Sequence, residues 1–124
     1  ISLHKDIDSF KKSSQILSKL QVIGKFGYII LKQKDLEEIG VTQMQAKNNI
    51  DEIGRIKDLL VWSIAIETKD GTYDCSARSK NGYTVNSICA SYGGGGHVNA
   101  AAVKNLSETD FKKFYKELED LANA

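Results

Sequence analysis

The run of four glycines at residues 93–96, followed by His97, constrains this 124-residue chain more than any other feature. Glycine has no Cβ, so the backbone here can adopt positive φ angles and can come close to a ligand. Such a segment can turn its N–H groups into a concave cradle for an anion, and the histidine adds a proton donor or carrier near neutral pH. A flexible linker and a plain buried turn are the alternatives. The apolar pattern on both sides of the run favours the cradle.

The composition is that of one ordinary globular domain, with 41% hydrophobic and 27% charged residues. A net charge of +1 provides no field that would hold a long nucleic acid, so any nucleic-acid ligand should be short and locally bound. Cys75 and Cys89 lack metal-binding spacing, which argues against a structural zinc site and a secreted disulfide scaffold. We expect a cytoplasmic protein without a membrane contact, because neither a membrane span nor a signal peptide is present in the sequence.

The spacing of apolar residues predicts an α/β fold. Helical spacing of Leu3, Ile7, Phe10, Leu17 and Leu20 predicts a first helix near residues 3–21. Strands are predicted at residues 26–31, 60–67, 72–79 and 98–103, and further helices at residues 35–39, 42–53, 85–92 and from 107 onward. We therefore expect a single compact domain with a mixed sheet of four to five strands and packed helices, preceded by a linker helix.

A hairpin links two of these strands. The dipeptide Asp70-Gly71 predicts a two-residue type I′ turn, which would pair Ser63 with Arg78. The core face would then hold Trp62, Ile64, Ile66, Cys75, Ala77 and Ser79. The other face would hold Ser63, Ala65, Ser76 and Arg78, where small neighbours leave room for a ligand beside the guanidinium. A plain solvated face fits the same pattern.

Arg78 is the candidate anchor for a phosphate. Its planar fork of donors suits a phosphate or carboxylate, and it keeps its charge at any physiological pH. The alternative interpretation is a surface ion pair with Asp74 or Glu67.

Two motifs in the second half of the chain resemble the DHH-associated C-terminal domain, the substrate-binding half of the DHH-superfamily phosphoesterases. Residues 94–101 look like its signature Gly-Gly-Gly-His-x-x-Ala-Ala-Gly, and the match breaks at Ala102, where the family usually has glycine. Residues 75–79 are similar to its Ser-hydrophobic-Arg-Ser strand, which carries a substrate-contacting arginine. The superfamily includes nanoRNases, adenosine 3′,5′-bisphosphate phosphatases, cyclic-di-AMP phosphodiesterases and RecJ-type exonucleases. The resemblance extends over residues 25–124.

The resemblance implies roles for individual residues. The substrate-binding residues would be Arg78, Ser79, Gly94, Gly95, Gly96, His97 and Asn99, with Asn99 either orienting the loop or contacting a nucleotide. His97 would be catalytic, donating a hydrogen bond to the scissile phosphate or helping the leaving group. A histidine that caps a carbonyl is the alternative. If the family glycine at position 102 needs a positive φ, Ala102 costs roughly 1 kcal/mol; if it only allows close packing, a methyl is tolerable.

The resemblance also implies a partner domain. Residues 1–24 would be a linker helix from an N-terminal catalytic DHH domain, and residues 25–124 the substrate-binding domain. A chain that begins at Ile1 and has Met44 as its only methionine fits a fragment of a longer protein. The family holds two divalent metal ions, with manganese expected, on an Asp-His-His motif of the DHH domain. With two histidines and no His-His pair, this chain should bind no metal and alone hydrolyse nothing.

The expected function is therefore substrate binding in a phosphoesterase that acts on short oligonucleotides, adenosine 3′,5′-bisphosphate or cyclic dinucleotides. Its partners would be the DHH domain and a short nucleotide or nano-RNA, and a homodimer is left open. One alternative is a nucleic-acid-binding module without a hydrolase, as in the C-terminal domain of alanyl-tRNA synthetases. Those domains typically carry Arg-Pro after the glycines, and a tRNA binder should be more basic. A nucleotide-sensing regulatory domain is the other alternative.

Overall fold

A six-stranded mixed sheet organises the computed structural model of the protein, which describes residues 6–124. The strands are β1 (Gln21–Ile23), β2 (Phe26–Leu31), β3 (Val61–Glu67), β4 (Tyr73–Ser79), β5 (Gly95–His97) and β6 (Ala100–Leu106). Their order is β1-β2-β3-β4-β6-β5, and β2 runs parallel to β3 while the other pairs are antiparallel. The α/β class is confirmed, but the expected four to five strands are six. The two additional strands, β1 and β5, have three residues each and are too short to show a periodic pattern.

Six helices occur among the described residues: α1 (Ile7–Leu17), α2 (Gln33–Ile39), α3 (Gln43–Lys47), α4 (Ile50–Ile53), α5 (Asn86–Ser91) and α6 (Glu108–Ala122). Thr42 and Gln45 form the predicted capping box at α3, and the Ser107 hydroxyl accepts from a backbone N–H at the start of α6. The single helix expected over residues 42–53 is divided into α3 and α4. Between residues 6 and 124, no helix is long and apolar enough to cross a bilayer.

Helix α1 lies within the predicted range, and the domain covers only part of its predicted apolar stripe. Of the predicted apolar stripe, Leu3 lies outside the described residues, while Ile7 is 74% and Phe10 63% exposed. The buried residue of α1 is Ile16. Leu17 and Leu20 are partly buried against the cluster that includes Ile16, so the exposed residues of the predicted stripe lie in the first half of the helix.

Both faces of the sheet are covered, at least in part, by helices. On what we call the rear face, α5 and α6 pack against the sheet around Val61, Ala65, Cys75, Ala77, Val103, Phe114 and Leu118. On the front face, α1 to α4 pack over β2 and β3 around Ile16, Ile29, Leu36, Ile50, Trp62, Ile64 and Ile66. The domain therefore has a hydrophobic cluster of its own on each side of the sheet.

The β3–β4 hairpin has a register one residue away from the predicted one. Its loop contains three residues, 69–71, since the N–H of Thr68 donates to the carbonyl of Thr72 at 2.8 Å and Gly71 has a φ of +80°. Trp62 pairs with Arg78 and Ser63 with Ala77. Side chains directly opposite each other share a face, so this slip moves every side chain of β4 to the other side of the sheet. The predicted grouping of Arg78 with Ser63 is wrong, and Arg78 lies on the front face.

The Tyr115→Phe variant is expected to lower the free energy of unfolding by about 1–2 kcal/mol. The Tyr115 hydroxyl donates to Ser63 Oγ at 2.9 Å inside the rear cluster, and burial raises the pKa of Tyr115 well above its usual value, so the donor stays protonated. Urea denaturation followed by the fluorescence of Trp62, the single tryptophan, measures the effect. If the two hydroxyls interact, the Ser63→Ala/Tyr115→Phe double variant loses less than the sum of the single variants; strict additivity would contradict the interaction.

Candidate functional site

Arg78 and His97 lie in one cross-strand row on the front face. Strand β6 separates β4 from β5, and Ala100 pairs with Arg78 on one side and with His97 on the other. The three side chains therefore point to the same side of the sheet. With neighbouring strands roughly 4.8 Å apart, the backbones of the arginine and the histidine are about 10 Å apart, with only a methyl group between them.

The floor beside this row consists of small residues. In the next row Ala102 pairs with Ser76 and with Gly95, so these residues also face the front. We call the surface formed by Ser76, Gly95, Ala100 and Ala102 the shelf. Of the small residues predicted beside the guanidinium, only Ser76 lies on this face, and it is 9% exposed. Ala102 has no positive φ, so it sits in β6 without the strain that a glycine-specific conformation would impose.

The glycine run has two structural roles. Gly93, at φ +85°, ends α5: its N–H donates to Ala90 O at 3.1 Å, and the N–H of Gly94 donates to Cys89 O at 2.9 Å. This is the Schellman arrangement of a helix C-terminus. A Cβ on Gly94 would lie 2.1 Å from the carbonyl oxygen of Ala102, so glycine allows the chain to pass against β6. The run then continues as the extended strand β5 and forms neither a concave cradle nor a linker.

Strand β5 is an edge strand of the sheet. One side of it pairs with β6, and an edge strand leaves alternate backbone N–H and C=O groups of its other side unpaired. All three residues of β5 are exposed. The glycine segment can therefore still offer backbone donors to a ligand, from an extended rather than a curved backbone.

Arg78 is held in place but is not neutralised. Its side chain is 28% exposed, Nη1 donates to the carbonyl of Ala77 at 3.1 Å, and Nε lies 4.0 Å from Oδ1 of Asp51 in α4. The predicted alternative partners, Asp74 and Glu67, make their contacts elsewhere. Because Asp51 is 91% exposed and barely within ion-pair distance, this pair contributes little, and the guanidinium fork can bind a ligand. Sequence reasoning missed Asp51, since no local pattern indicates that α4 lies beside the end of β4.

His97 is exposed on β5, and its imidazole makes no hydrogen bond or ion pair with the rest of residues 6–124. The alternative in which it caps a carbonyl therefore has no partner in the described structure. Neither is His97 part of a metal cluster, because no group of three or more His, Cys, Asp or Glu side chains within the described residues could hold an ion. The imidazole is open to a ligand placed on the shelf.

Ser79 and Asn99 fix the β5–β6 hairpin to the end of β4. Ser79 is buried on the rear face, 6% exposed, and its Oγ accepts from Nδ2 of Asn99 at 2.9 Å. The same Nδ2 donates to the carbonyl of Tyr83 at 2.8 Å, and the Ser79 N–H donates to Asn99 O at 3.0 Å. These bonds hold the hairpin that carries His97 beside Arg78.

The remaining reactive side chains and clefts lie away from the shelf. Burial raises the pKa of Cys75 and that of Cys89, the latter to about 11, so both thiols stay protonated and unreactive at neutral pH. A cleft of about 270 Å³ lies between α1 and α3, and a wider one lies between α2, α3 and the β3–β4 hairpin. Neither cleft includes Arg78 or His97.

Comparisons with known proteins agree with this fold. Residues 21–124 match the family described as the DHHA1 domain. A relative from Streptococcus mutans, named probable bifunctional oligoribonuclease and PAP phosphatase NrnA, is 32% identical over 93 residues. The matched segment is 75% of this chain but 30% of that relative, so the chain spans less than a third of the relative's length.

Solved structures of low sequence identity share the architecture. An exopolyphosphatase-related protein from Bacteroides fragilis superposes with a TM-score of 0.79 at 16% identity, over 94% of this chain and 35% of its own. The pGpG-specific phosphodiesterase PggH from Vibrio cholerae gives 0.67 at 13% identity, over 94% and 39%. The C-Ala domain of alanyl-tRNA synthetase from Aquifex aeolicus gives 0.58 at 18% identity, over 86% and 99%. At these identities the likeness concerns the fold alone.

The adjacent glycines of β5 should respond differently to alanine. Gly96 has a φ of +147°, and a Cβ there would lie 2.6 Å from the carbonyl oxygen of Ala100, so Gly96→Ala should lower the free energy of unfolding by about 1–3 kcal/mol. A Cβ on Gly95 meets nothing within 4 Å, so Gly95→Ala should stay within about 0.5 kcal/mol of the wild type. Urea denaturation tests the pair, and equal losses would contradict the described path of β5.

Proposed function

Because the chain belongs to the DHHA1 domain family, we propose that it binds the substrate phosphate in a metal-dependent phosphoesterase of the DHH superfamily. The observation that carries this proposal is the row Arg78–Ala100–His97, in which a permanent cation and a histidine face the same small-residue shelf. The proposed ligand is a short nucleotide: the end of a short oligoribonucleotide, adenosine 3′,5′-bisphosphate or a cyclic dinucleotide. The names of the Streptococcus and Vibrio proteins refer to oligoribonucleotides, PAP and pGpG as substrates of those proteins.

Arg78 is proposed to hold a phosphate through two parallel N–H···O bonds. The carbonyl of Ala77 restrains the guanidinium at 3.1 Å, so less freedom is lost when a ligand binds. A phosphate oxygen would replace the distant carboxylate of Asp51, which can return to water because it is almost fully exposed. The methyl groups of Ala100 and Ala102 leave room above the sheet for the rest of the nucleotide.

His97 is proposed to act at the scissile phosphate. Its ring is exposed and unbonded among the described residues, and its strand is fixed to β4 through Asn99. From that position it can donate a hydrogen bond to a non-bridging oxygen as negative charge develops there, or donate a proton to the leaving group. Either role requires a second set of groups on the other side of the phosphate.

That second set is proposed to come from a DHH domain joined through residues 1–24. Phosphoester cleavage of this kind uses clustered Asp and His side chains that hold two divalent ions, expected to be manganese, which activate water. The described residues contain no such group, and His97 is exposed, so another domain could cover it. We propose the cytoplasm as the compartment of the whole enzyme.

Replacing Arg78 with lysine should weaken nucleotide binding although the charge is kept, because one ammonium cannot make a bidentate contact. The expected loss is about 1–3 kcal/mol, measured by titration calorimetry with a 5′-phosphorylated dinucleotide. Arg55→Lys is the matched control, since Arg55 is the other arginine of the chain and pairs with Glu52 at 3.3 Å on the surface. Equal affinity of Arg78→Lys and the wild type would show that Arg78 is only a surface residue.

His97→Ala is the test of catalysis, in the longer protein that joins this domain to its DHH domain. We expect kcat for short nucleotides to fall by roughly 10²–10³, with the melting temperature near that of the wild type. Val98→Ala, at the exposed tip of the same hairpin, should leave kcat unchanged. A normal kcat in His97→Ala would remove the proposed role.

The 124-residue chain alone, supplied with Mn²⁺, should show no turnover. Metal-dependent turnover by the chain alone would contradict the placement of the metal ions in a separate domain.

A further inference from the structure

Helix α4 is fixed beside Arg78 at both of its ends. Trp62, which pairs with Arg78 across the β3–β4 hairpin, donates from its indole N–H to the carbonyl of Ile50 at 2.9 Å. At the other end, Lys80 Nζ donates to the carbonyl of Gly54 at 2.8 Å, and a Cβ on Gly54 would lie 2.3 Å from the ring of Trp62. The indole and the ammonium therefore hold α4 against β3 and the end of β4.

This helix brings a carboxylate to the guanidinium. Asp51 lies in α4, and its Oδ1 is 4.0 Å from Nε of Arg78. Among residues 6–124 the carboxylate accepts no hydrogen bond and makes no other ion pair, and the side chain is 91% exposed. An ion pair at this distance and exposure leaves the lone pairs of the carboxylate available to a donor on a ligand. Asp51 is therefore a hydrogen-bond acceptor held beside the guanidinium.

A carboxylate in this position constrains which phosphate Arg78 can hold. Since α4 is fixed, Asp51 stays close to any anion bound there, and two like charges repel each other. A hydroxyl on the carbon next to the phosphorylated carbon can donate to the carboxylate and replace the repulsion with a charge-assisted hydrogen bond. In a ribonucleotide the 2′-hydroxyl has this position relative to a 3′-phosphate. A 5′-phosphate has no hydroxyl on the neighbouring carbon.

We propose that Asp51 is a specificity-determining residue that accepts a hydrogen bond from a ribose 2′-hydroxyl, so that the phosphate on Arg78 is the one attached to the 3′ oxygen of that ribose. This inference rests on the proposed binding of a phosphate by Arg78, and it adds the orientation of the ligand. A deoxyribose in the same place leaves the carboxylate facing the phosphate without a donor between them. The same phosphate is then bound more weakly.

The experiment compares ribose with deoxyribose on three proteins. The dissociation constants of 3′-AMP and 2′-deoxyadenosine 3′-monophosphate are measured by NMR titration on the wild-type chain, Asp51→Ala and Glu52→Ala. EDTA is present, so that no divalent ion bridges the carboxylate and the phosphate. Glu52→Ala is the matched control, because it removes the neighbouring carboxylate of α4, which pairs with Arg55 at 3.3 Å.

We expect the wild type and Glu52→Ala to bind 3′-AMP about fivefold more tightly than its deoxy analogue, because a charge-assisted hydrogen bond is present in one complex alone. Asp51→Ala should reduce this preference to less than about twofold. The ratio is taken within each protein, so a general change in stability or net charge does not move it. The 5′-phosphates of the same two nucleosides should show no such preference in any of the three proteins.

The outcomes separate this inference from the proposed function. If the wild type does not prefer ribose, or if Asp51→Ala keeps the full preference, Asp51 does not contact the hydroxyl, while phosphate binding by Arg78 stands. An equal loss of preference in Glu52→Ala would assign the effect to the charge of α4 as a whole and contradict the inference. An equal preference among the 5′-phosphates would contradict the orientation. If the wild type binds none of these nucleotides, the proposed function fails and this inference fails with it.

Discussion

The pairing of β6 with β4 on one side and with β5 on the other is the constraint on which the site depends. It brings Arg78 and His97, which are far apart in the sequence, into one row with Ala100 between them. The pairing is possible only because the chain can approach β6 closely at Gly94, where any side chain would meet the carbonyl of Ala102. The glycines thus contribute to the candidate site through backbone packing, which allows β5 to pair with β6.

The sequence predicts the elements of this fold better than their register. Apolar spacing is enough to predict four of the strands and the long final helix, namely β2, β3, β4, β6 and α6. The capping box at Thr42, which the local sequence also predicts, is present in the fold. The β3–β4 register could not be derived in this way. An Asp-Gly pair fits a two-residue turn as well as a three-residue loop that ends in glycine. Since the central strands are buried on both faces, alternation of polar and apolar residues could not decide between the two.

The site was predictable as a set of residues but not as a geometry. Arg78 and His97 were identified by residue type and motif, and both face the shelf. Ser79, in contrast, lies on the rear face and helps to position the hairpin, which only the correct register reveals. Strand β5 has a composition that disfavours strands, so its extended form depends on pairing with β6. Asp51 comes from another part of the chain, and no local pattern indicates that it lies beside Arg78.

The charge arrangement of the shelf bears on the proposed binding of an anion by a nearly neutral domain. A net charge of +1 provides little long-range attraction, so affinity has to come from a few fixed groups at short range. The Ala77 carbonyl restrains Arg78, whereas its carboxylate partner is distant and exposed, and an incoming phosphate therefore displaces only a weak ion pair. Because the shelf is open to water, these contacts are screened in the domain alone. Under the proposed function, a second domain that covers the shelf would exclude water and strengthen every charge interaction on it.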